Sequence, residues 1–344
     1  MILNKAGSTF SYILISFLVF FTANINPQTD TTMYKLSVMK YLMGTTVETT
    51  ARSTDVNHCK EALLAAYKEM QRVENLLSCE KDSSEISVIN RAAGLQPVKV
   101  SYETFEMIKR SKAYCKKYHG VFDVTIGPLS NLWGFSEDKE IVLPLDSTIK
   151  KLKKLVNYND MIINEKDTTV FLNKKGMSID LGGIAKGYAI DRGCAVLKEM
   201  GITNFILNAG GDIYVSGTKD KNTLWKLGIK HPRNTNDLIA EFNLKDYAVA
   251  TSGDYERFKI INGVRYHHIL NPATGYPGRL SESSTILAPT AEEADATATY
   301  IFLLGWKKTL SDKELNYPLL IVSSDGSVHY NKIFEKKYNL ELVK

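Results

Sequence analysis

The sequence predicts an α+β fold in which mixed sheets carry packed helices. Three observations point there. Runs rich in β-branched and aromatic residues recur along the chain and read as strands. Between them lie segments whose apolar residues recur every three or four positions, as one buried helix face requires. Turn signals, glycines and Asn-Gly or Asp-Gly pairs, separate the two kinds of segment. The 344 residues are 44% hydrophobic and 24% charged, with only 9 prolines, which excludes a disordered tail, a fibre or a multi-span membrane protein. That length allows two domains of roughly 150 residues or one large unit. The net charge of +5 comes from 43 basic and 38 acidic residues mixed throughout. No Arg/Lys block interleaved with aromatics marks a nucleic-acid groove, so no nucleic-acid partner is expected.

Residues 1–30 differ from the rest. Lys5 precedes an apolar stretch over residues 12–23, and a polar stretch over 24–30 follows. The apolar part, about 12 residues, is shorter than the ~20 needed to cross a bilayer. The pattern predicts an export signal over residues 1–25, with Ala23 as the candidate cleavage position. An uncleaved anchor or a buried N-terminal helix are the alternatives. No cysteine closely follows the apolar run, so no lipidated N-terminus is expected. The four cysteines, Cys59, Cys79, Cys115 and Cys194, lack metal-ligand spacing. Cys115 and Cys194 sit in helix-like patterns and are expected to be buried free thiols.

The elements follow in order. Residues 33–50 read as two strand segments around a tight turn at Gly44. Asp55 can cap a long helix, because Ala62, Leu63, Ala66, Tyr67, Met70, Val73, Leu76 and Leu77 share one face. A polar loop is expected over 78–90. A second helix starts near Ser101, presents Phe105, Ile108, Lys112 and Cys115 on one side, and stops at Gly120. Residues 121–135 crowd glycine, proline and aromatics into a nonrepetitive segment of the kind that walls a site. Residues 147–154 are basic and poorly patterned, and a short hairpin turns near Lys166-Asp167. From Met177 the pattern reads as strand, glycine turn, helix to Met200, then a strand at Phe205. Turns at Asn208-Ala-Gly-Gly-Asp212 and Asn262-Gly263, a helix from Ala291 to Leu304, and a final hairpin at Asp325-Gly326 complete the chain.

Three constellations carry chemistry. Gly182, Gly183 and Gly187 lie at a helix entrance, where free N–H groups and the positive end of the dipole favour phosphate. Their spacing fits neither common phosphate fingerprint, and glycines at such a turn also serve packing. Asp180 precedes them in an apolar segment, where a carboxylate needs a base, a cation or a ligand hydrogen bond. In the helix after Ala291, Asp295 and Thr299 are four apart and share a face, so carboxylate and hydroxyl could converge on a hard cation such as Mg²⁺. The bland alternative has Asp295 capping or salt-bridged and Thr299 bonded back to a helix carbonyl. The third constellation joins Thr251-Ser-Gly-Asp254-Tyr-Glu-Arg257-Phe258 to His267-His268-Ile-Leu270-Asn-Pro-Ala-Thr-Gly275. Adjacent histidines on a strand face opposite ways, so at most one looks into a given site. No HExxH spacing suggests zinc.

Taken in order, Met43-Gly44-Thr45, Ser84-Glu85-Ile-Ser with Asn90, Phe122-Asp123-Val-Thr-Ile-Gly-Pro-Leu, Asp180-Leu-Gly-Gly-Ile-Ala-Lys-Gly-Tyr-Ala, Asn208-Ala-Gly-Gly-Asp212, Ser252-Gly253-Asp254-Tyr-Glu-Arg, His268-Ile-Leu-Asn-Pro-Ala-Thr-Gly and Ala294-Asp295-Ala-Thr-Ala-Thr299 resemble the ApbE family of FAD:protein FMN transferases. The likeness spans residues 33–305. Eight ordered blocks are specific where any one would be weak.

The resemblance implies a single T-fold-like catalytic domain over residues 33–344 and a bacterial, exported enzyme, periplasmic or held on the periplasmic side of the inner membrane. It implies Mg²⁺-dependent cleavage of FAD at the pyrophosphate, transfer of FMN to a Thr or Ser hydroxyl of an acceptor protein, and release of AMP. The acceptor would be a subunit of a membrane redox complex. Carried over by position, the Mg²⁺ ligands would be Asp295, Thr299 and the carbonyl of Gly183. The flavin contacts would fall on Met43, Val121, Phe122, Asp123, Asp180 and Leu270. His268 and Asp180 are both candidates for the base that accepts the hydroxyl proton. One departure stands out: where many relatives place a flavin-covering aromatic, this chain has Glu80, preceded by Cys79. A carboxylate cannot stack on a ring and repels phosphate, so hydrolysis of FAD to FMN and AMP, or flavin binding without catalysis, are the competing readings.

Overall fold

The computed structural model describes residues 33–135, 142–220, 223–234 and 236–343. The leader expected over 1–25, with Ala23, lies outside them. Strands β1 (Tyr34–Leu42) and β2 (Thr45–Ser53) form a hairpin whose two turn residues, Met43 and Gly44, both have positive φ, as a tight hairpin turn requires. Helix α1 (Val56–Leu77) starts where the Asp55 carboxylate accepts the His58 N–H, and it buries the predicted apolar face.

The expected loop over 78–90 is in part a helix, α2 (Glu85–Arg91), capped by Ser84 on the Ser87 N–H and burying Ile86 and Ile89. Two turns are too short to show a period. Strand β3 (Val98–Lys99) precedes α3 (Tyr102–Lys117), which ends before Gly120 as expected. The segments read as nonrepetitive and poorly patterned also hold short helices: α4 (Gly127–Trp133), with Pro128 in its first turn, and α5 (Asp146–Lys153). Strands β4 (Met161–Asn164) and β5 (Thr169–Leu172) form the Lys166-Asp167 hairpin.

No strand precedes the glycine turn. Residues 177–181 run as irregular chain, touching Ile126 through a single bridge at Ser178, before α6 (Ala185–Glu199). Next come β6 (Asn204–Ala209), β7 (Asp212–Ser216), β8 (Trp225–Lys230), β9 (Leu238–Leu244), β10 (Tyr247–Gly253), β11 (Phe258–Ile261), β12 (Val264–His267) and β13 (Ser281–Ala288). Helices α7 (Ala291–Leu304) and α8 (Trp306–Ser311), strands β14 (Leu319–Ser323) and β15 (Val328–Tyr330), helix α9 (Lys332–Tyr338) and strand β16 (Glu341–Leu342) complete the order.

Eight strands form the main sheet in the order β1-β2-β6-β7-β10-β13-β14-β15, every neighbour antiparallel. Alternation along the central strands divides two cores. Ala248, Ala250, Ile286, Ala288, Leu319 and Ile321 face α1, α6 and α7, whereas Val249, Leu287, Leu320 and Val322 face the smaller sheet β16-β9-β8 and α9. A side cluster of Leu129, Trp133, Ile149 and Leu270 fastens α4 and α5 to the segment after β12, where Trp133 Nε1 donates to the Gly275 carbonyl at 2.9 Å. Among the described residues no helix is long and apolar enough to cross a membrane. All four cysteines are free thiols; Cys115 and Cys194 are buried, as expected.

Candidate active site

The two suggestive halves of the sequence meet where α6 starts. A Cβ placed on Gly183 would lie 3.2 Å from Thr299 Oγ1 and 3.2 Å from the Phe122 ring, so backbone, hydroxyl and aromatic edge converge there. One turn on, the Gly187 N–H donates to Asp295 Oδ2 at 3.0 Å. Only glycine allows this approach, because a Cβ on residue 187 would stand 2.1 Å from the Ala291 carbonyl oxygen. Thr299 does not bond back to its own helix. Its Oγ1 lies 3.3 Å from Ser252 Oγ on β10, whereas Thr297 is the residue that returns to the Glu293 carbonyl.

The surroundings of Asp295 are electrostatically tense. Burial, then the nearby Asp212 carboxylate, push its pKa up to about 8, against the pull of Lys186 and the Gly187 N–H. Asp212 is itself buried, and burial raises its pKa against the Lys186 Nζ only 2.9 Å from Oδ2. Burial works against the charge on Lys186, but Asp212 and Asp295 hold its pKa above the ordinary value. Two carboxylates thus share one ammonium, an imbalance that a divalent cation would correct. The described residues contain no cluster of three or more His, Cys, Asp or Glu side chains suited to a metal. One carboxylate, one hydroxyl and one backbone carbonyl still fit Mg²⁺, which takes oxygen ligands and keeps waters or phosphate oxygens in its remaining positions.

The wall from 121 to 123 is held by its own side chains. Asp123 is buried and fully engaged: Oδ1 accepts the Thr125 N–H and hydroxyl at 2.8 and 2.7 Å, and Oδ2 accepts the Tyr158 N–H at 3.0 Å. What Asp123 offers a ligand is therefore backbone. Phe122 is buried edge-on to Tyr118, and Val121 packs against Ile269 and Phe302. Leu270 turns its side chain into the Trp133 cluster.

Asp180 is half-buried, and its Oδ1 accepts the Gly182 N–H at 2.8 Å, so one of its two carboxylate oxygens shapes the glycine turn. The loop before α2 reaches it, with Cys79 Sγ 3.9 Å from the same oxygen. Met43 donates its N–H to Glu74 Oε1 at 3.2 Å, and a Cβ on the adjoining Gly44 would lie 2.9 Å from Arg257 Nη2. Turn, loop and Arg257 thus line the rim.

The two histidines have different surroundings, but not by strand alternation, because β12 ends at His267 and His268 lies in the bend just beyond it. His267 is structural: Nε2 pairs with the Gly278 carbonyl at 2.8 Å, Nδ1 accepts the Ile269 N–H, and burial pushes its pKa down to about 4. His268 gives its backbone N–H to the Arg257 carbonyl, while its buried ring Nδ1 has no partner. Burial, then the positive charges of Arg257, His267 and Lys186, press its pKa down to about 3. The ring is neutral at physiological pH. Sequence reasoning missed the Lys186–Asp212 pair, since it read residues 208–212 as a turn alone. The one signal was a charged residue closing each of two glycine-containing runs, Lys186 after Gly182-Gly183 and Asp212 after Gly210-Gly211.

Comparison with known proteins agrees with this geometry. The sequence profile of the ApbE family matches residues 43–317. An FAD:protein FMN transferase of Klebsiella pneumoniae is 33% identical over 282 residues, covering 81% of this chain and 85% of that protein. One of Treponema pallidum is 32% identical over 262 residues, 72% of each. The crystal structure of the ApbE protein of Thermotoga maritima superposes with a TM-score of 0.82 at 36% identity, over 88% of this chain and 98% of that one. The flavin transferase ApbE of Vibrio cholerae gives 0.77 at 27% identity, over 88% and 99%.

Proposed function

The chain belongs to the ApbE family and is an FAD:protein FMN transferase, and on that premise we propose that the transfer requires Mg²⁺, ends on a Thr or Ser hydroxyl of the acceptor and releases AMP. The observation that carries the reading is the junction of Gly183, Thr299 and Asp295, which gathers oxygen donors around an undercompensated buried carboxylate at a helix entrance.

Mg²⁺ bound there would supply positive charge to the pyrophosphate oxygens. The chain does the rest. The glycine turn shaped by Asp180 and the start of α6 present backbone N–H groups to phosphate, and Lys186 adds a fixed cation beside them. The acceptor oxygen attacks the phosphorus that carries the ribityl-flavin, the bond from that phosphorus to the bridging oxygen breaks, and AMP leaves with that oxygen. Of the two base candidates, His268 has the free acceptor: its neutral ring keeps Nδ1 unpartnered, whereas Asp180 Oδ1 is committed to the turn. Its lowered pKa makes the ring a weak base on its own, and the negative charge of a bound pyrophosphate would raise it.

The competing outcome is attack by water. It is favoured by Glu80, exposed on the rim loop where an aromatic would exclude solvent from a flavin. Incubation with FAD, Mg²⁺ and an acceptor bearing an exposed Thr separates the two. A flavin-sized mass increase on the acceptor, with one AMP per transfer, is expected; AMP and free FMN with an unchanged acceptor mass would leave only a hydrolase. The reading places residues 33–344 as one catalytic domain acting outside the cytoplasm on a subunit of a membrane redox complex. N-terminal sequencing of the envelope fraction, expected to begin after about residue 23, tests the location.

A further inference from the structure

The glycine turn and helix α6 that follows it run antiparallel to α7 and meet it at three levels, each four residues from the next. Gly183 meets Thr299 at the first, Gly187 meets Asp295 at the second, and Asp191 meets Ala291 at the third. The first two levels hold the metal donors. The third holds none, yet it is the most directional. Asp191 Oδ1 accepts the Ala291 N–H at 2.8 Å and Oδ2 accepts the Glu292 N–H at 2.9 Å, the first two free donors of α7. Thr290, the helix's own cap, covers the third free donor, the Glu293 N–H at 3.2 Å. One carboxylate from a neighbouring helix thus completes the start of α7.

We propose that Asp191 is a positioning residue for the Mg²⁺ site: its two bonds set the register of α7 against α6, and with it the distance of Asp295 and Thr299 from Gly183. The inference rests on the metal reading above. Its physical basis is geometric. Gly187 lets the helices approach and ties α6 to the Asp295 side chain by one bond, whereas two N–H···O bonds to one carboxylate define both the height and the rotation of the α7 backbone terminus. A slip of α7 would carry Asp295 and Thr299 together, because both sit on its inward face one and two turns beyond the brace. Burial raises the Asp191 pKa to about 6 and the two N–H bonds oppose it, so the group is ionised, as two donated bonds require, at neutral pH. Arg110 from α3 holds the adjacent Glu292 by 2.9 Å contacts, so α7 stays docked when the brace is cut, and only its register is released.

The test uses the full chain without flavin, measuring Mn²⁺ affinity from the electron paramagnetic resonance of the free ion. Asp191→Ala is expected to weaken Mn²⁺ binding about tenfold or more, as loss of an outer-shell support does. Asp191→Asn, which keeps one acceptor oxygen for one of the two N–H groups, should fall between Asp191→Ala and wild type. With metal saturating, KM for FAD should remain at the wild-type value in both. If Asp191→Ala lowers the melting temperature but binds Mn²⁺ as tightly as wild type, the brace is merely structural and the proposal is wrong. Should Asp191→Ala fail to fold, Asp191→Asn alone decides it: undiminished Mn²⁺ affinity there overturns the proposal. Asp295→Ala distinguishes the underlying reading, because Mn²⁺ bound equally well without that carboxylate would show that the metal site itself was misplaced.

Discussion

Gly187→Ala is the smallest change that should dismantle the site. The added methyl would stand 2.1 Å from the Ala291 oxygen, 2.5 Å from its carbonyl carbon and 2.7 Å from the Glu292 nitrogen. All three are backbone atoms of the first turn of α7, so no side chain can swing away. Ordinary contact begins near 3.4 Å, so the α6–α7 interface must open by roughly 1 Å. The Gly187–Asp295 hydrogen bond, now 3.0 Å, is then lost. Overpacking costs about 1–3 kcal/mol and the lost bond about 1, offset by about 1 kcal/mol because alanine suits a helix interior better than glycine. The net destabilisation is about 1–3 kcal/mol, a fall in melting temperature of about 1–5 °C for a chain this long. The catalytic loss should be larger, about a hundredfold, since a displacement near 1 Å of a positioned donor has that effect. Calorimetry and the rate of AMP release at varied Mg²⁺ measure the two. Wild-type activity together with an unchanged melting temperature would refute the idea that close approach of α6 and α7 builds the site.

Three further outcomes follow from the same geometry. Asp295→Ala should reduce Mg²⁺-dependent turnover at least about a thousandfold, the several kcal/mol a metal supplies to phosphoryl transfer, while FAD alone still binds; undiminished turnover would remove the ligand assignment. Glu80→Tyr should lower KM for FAD about two- to tenfold, because an aromatic ring on that rim loop adds about 0.5–1.5 kcal/mol of stacking; a KM that does not fall would show that the loop does not reach the flavin. His267, with its pKa pushed down to about 4 in the fold and near 6.5 unfolded, takes up its proton more readily when unfolded. Its contribution to stability is therefore full above pH 6.5 and is lost as pH falls from there through about 4. His267→Gln should abolish about 2 kcal/mol of the stability lost between pH 7.5 and pH 5 in urea unfolding, and an unaltered pH slope would contradict this.

How much was legible in the sequence depended on element length and on whether a contact was local. The helix from Ala291 to Leu304 was readable to the residue, since Thr290 caps it and Gly305 ends it. Asp295 and Thr299 were readable because a four-residue spacing fixes a shared face. By contrast α2, α4 and α5 span only seven or eight residues, too little to separate a helical period from a loop. At Asp180 the local bond was not legible: the Gly182 N–H, two residues on, occupies one carboxylate oxygen. Asp191 gave no sign, because its partners lie a hundred residues away and are backbone groups, which any sequence supplies.

The main sheet has one more property. Its strands stand side by side in the order in which they occur along the chain, from β1 to β15. Apart from α9 and β16, which follow β15, the remaining elements, including the glycine turn, both histidines and α7, are inserted between strands that are neighbours in the sheet. No strand has to be threaded between two that have paired, so the sheet can grow by accretion from its first hairpin as each later strand becomes available. A chain delivered amino end first, whether from a ribosome or through a narrow channel, meets its partners in the order of delivery, and α7 brings Asp295 and Thr299 only after six of the eight strands and the glycine turn that receives them have been delivered.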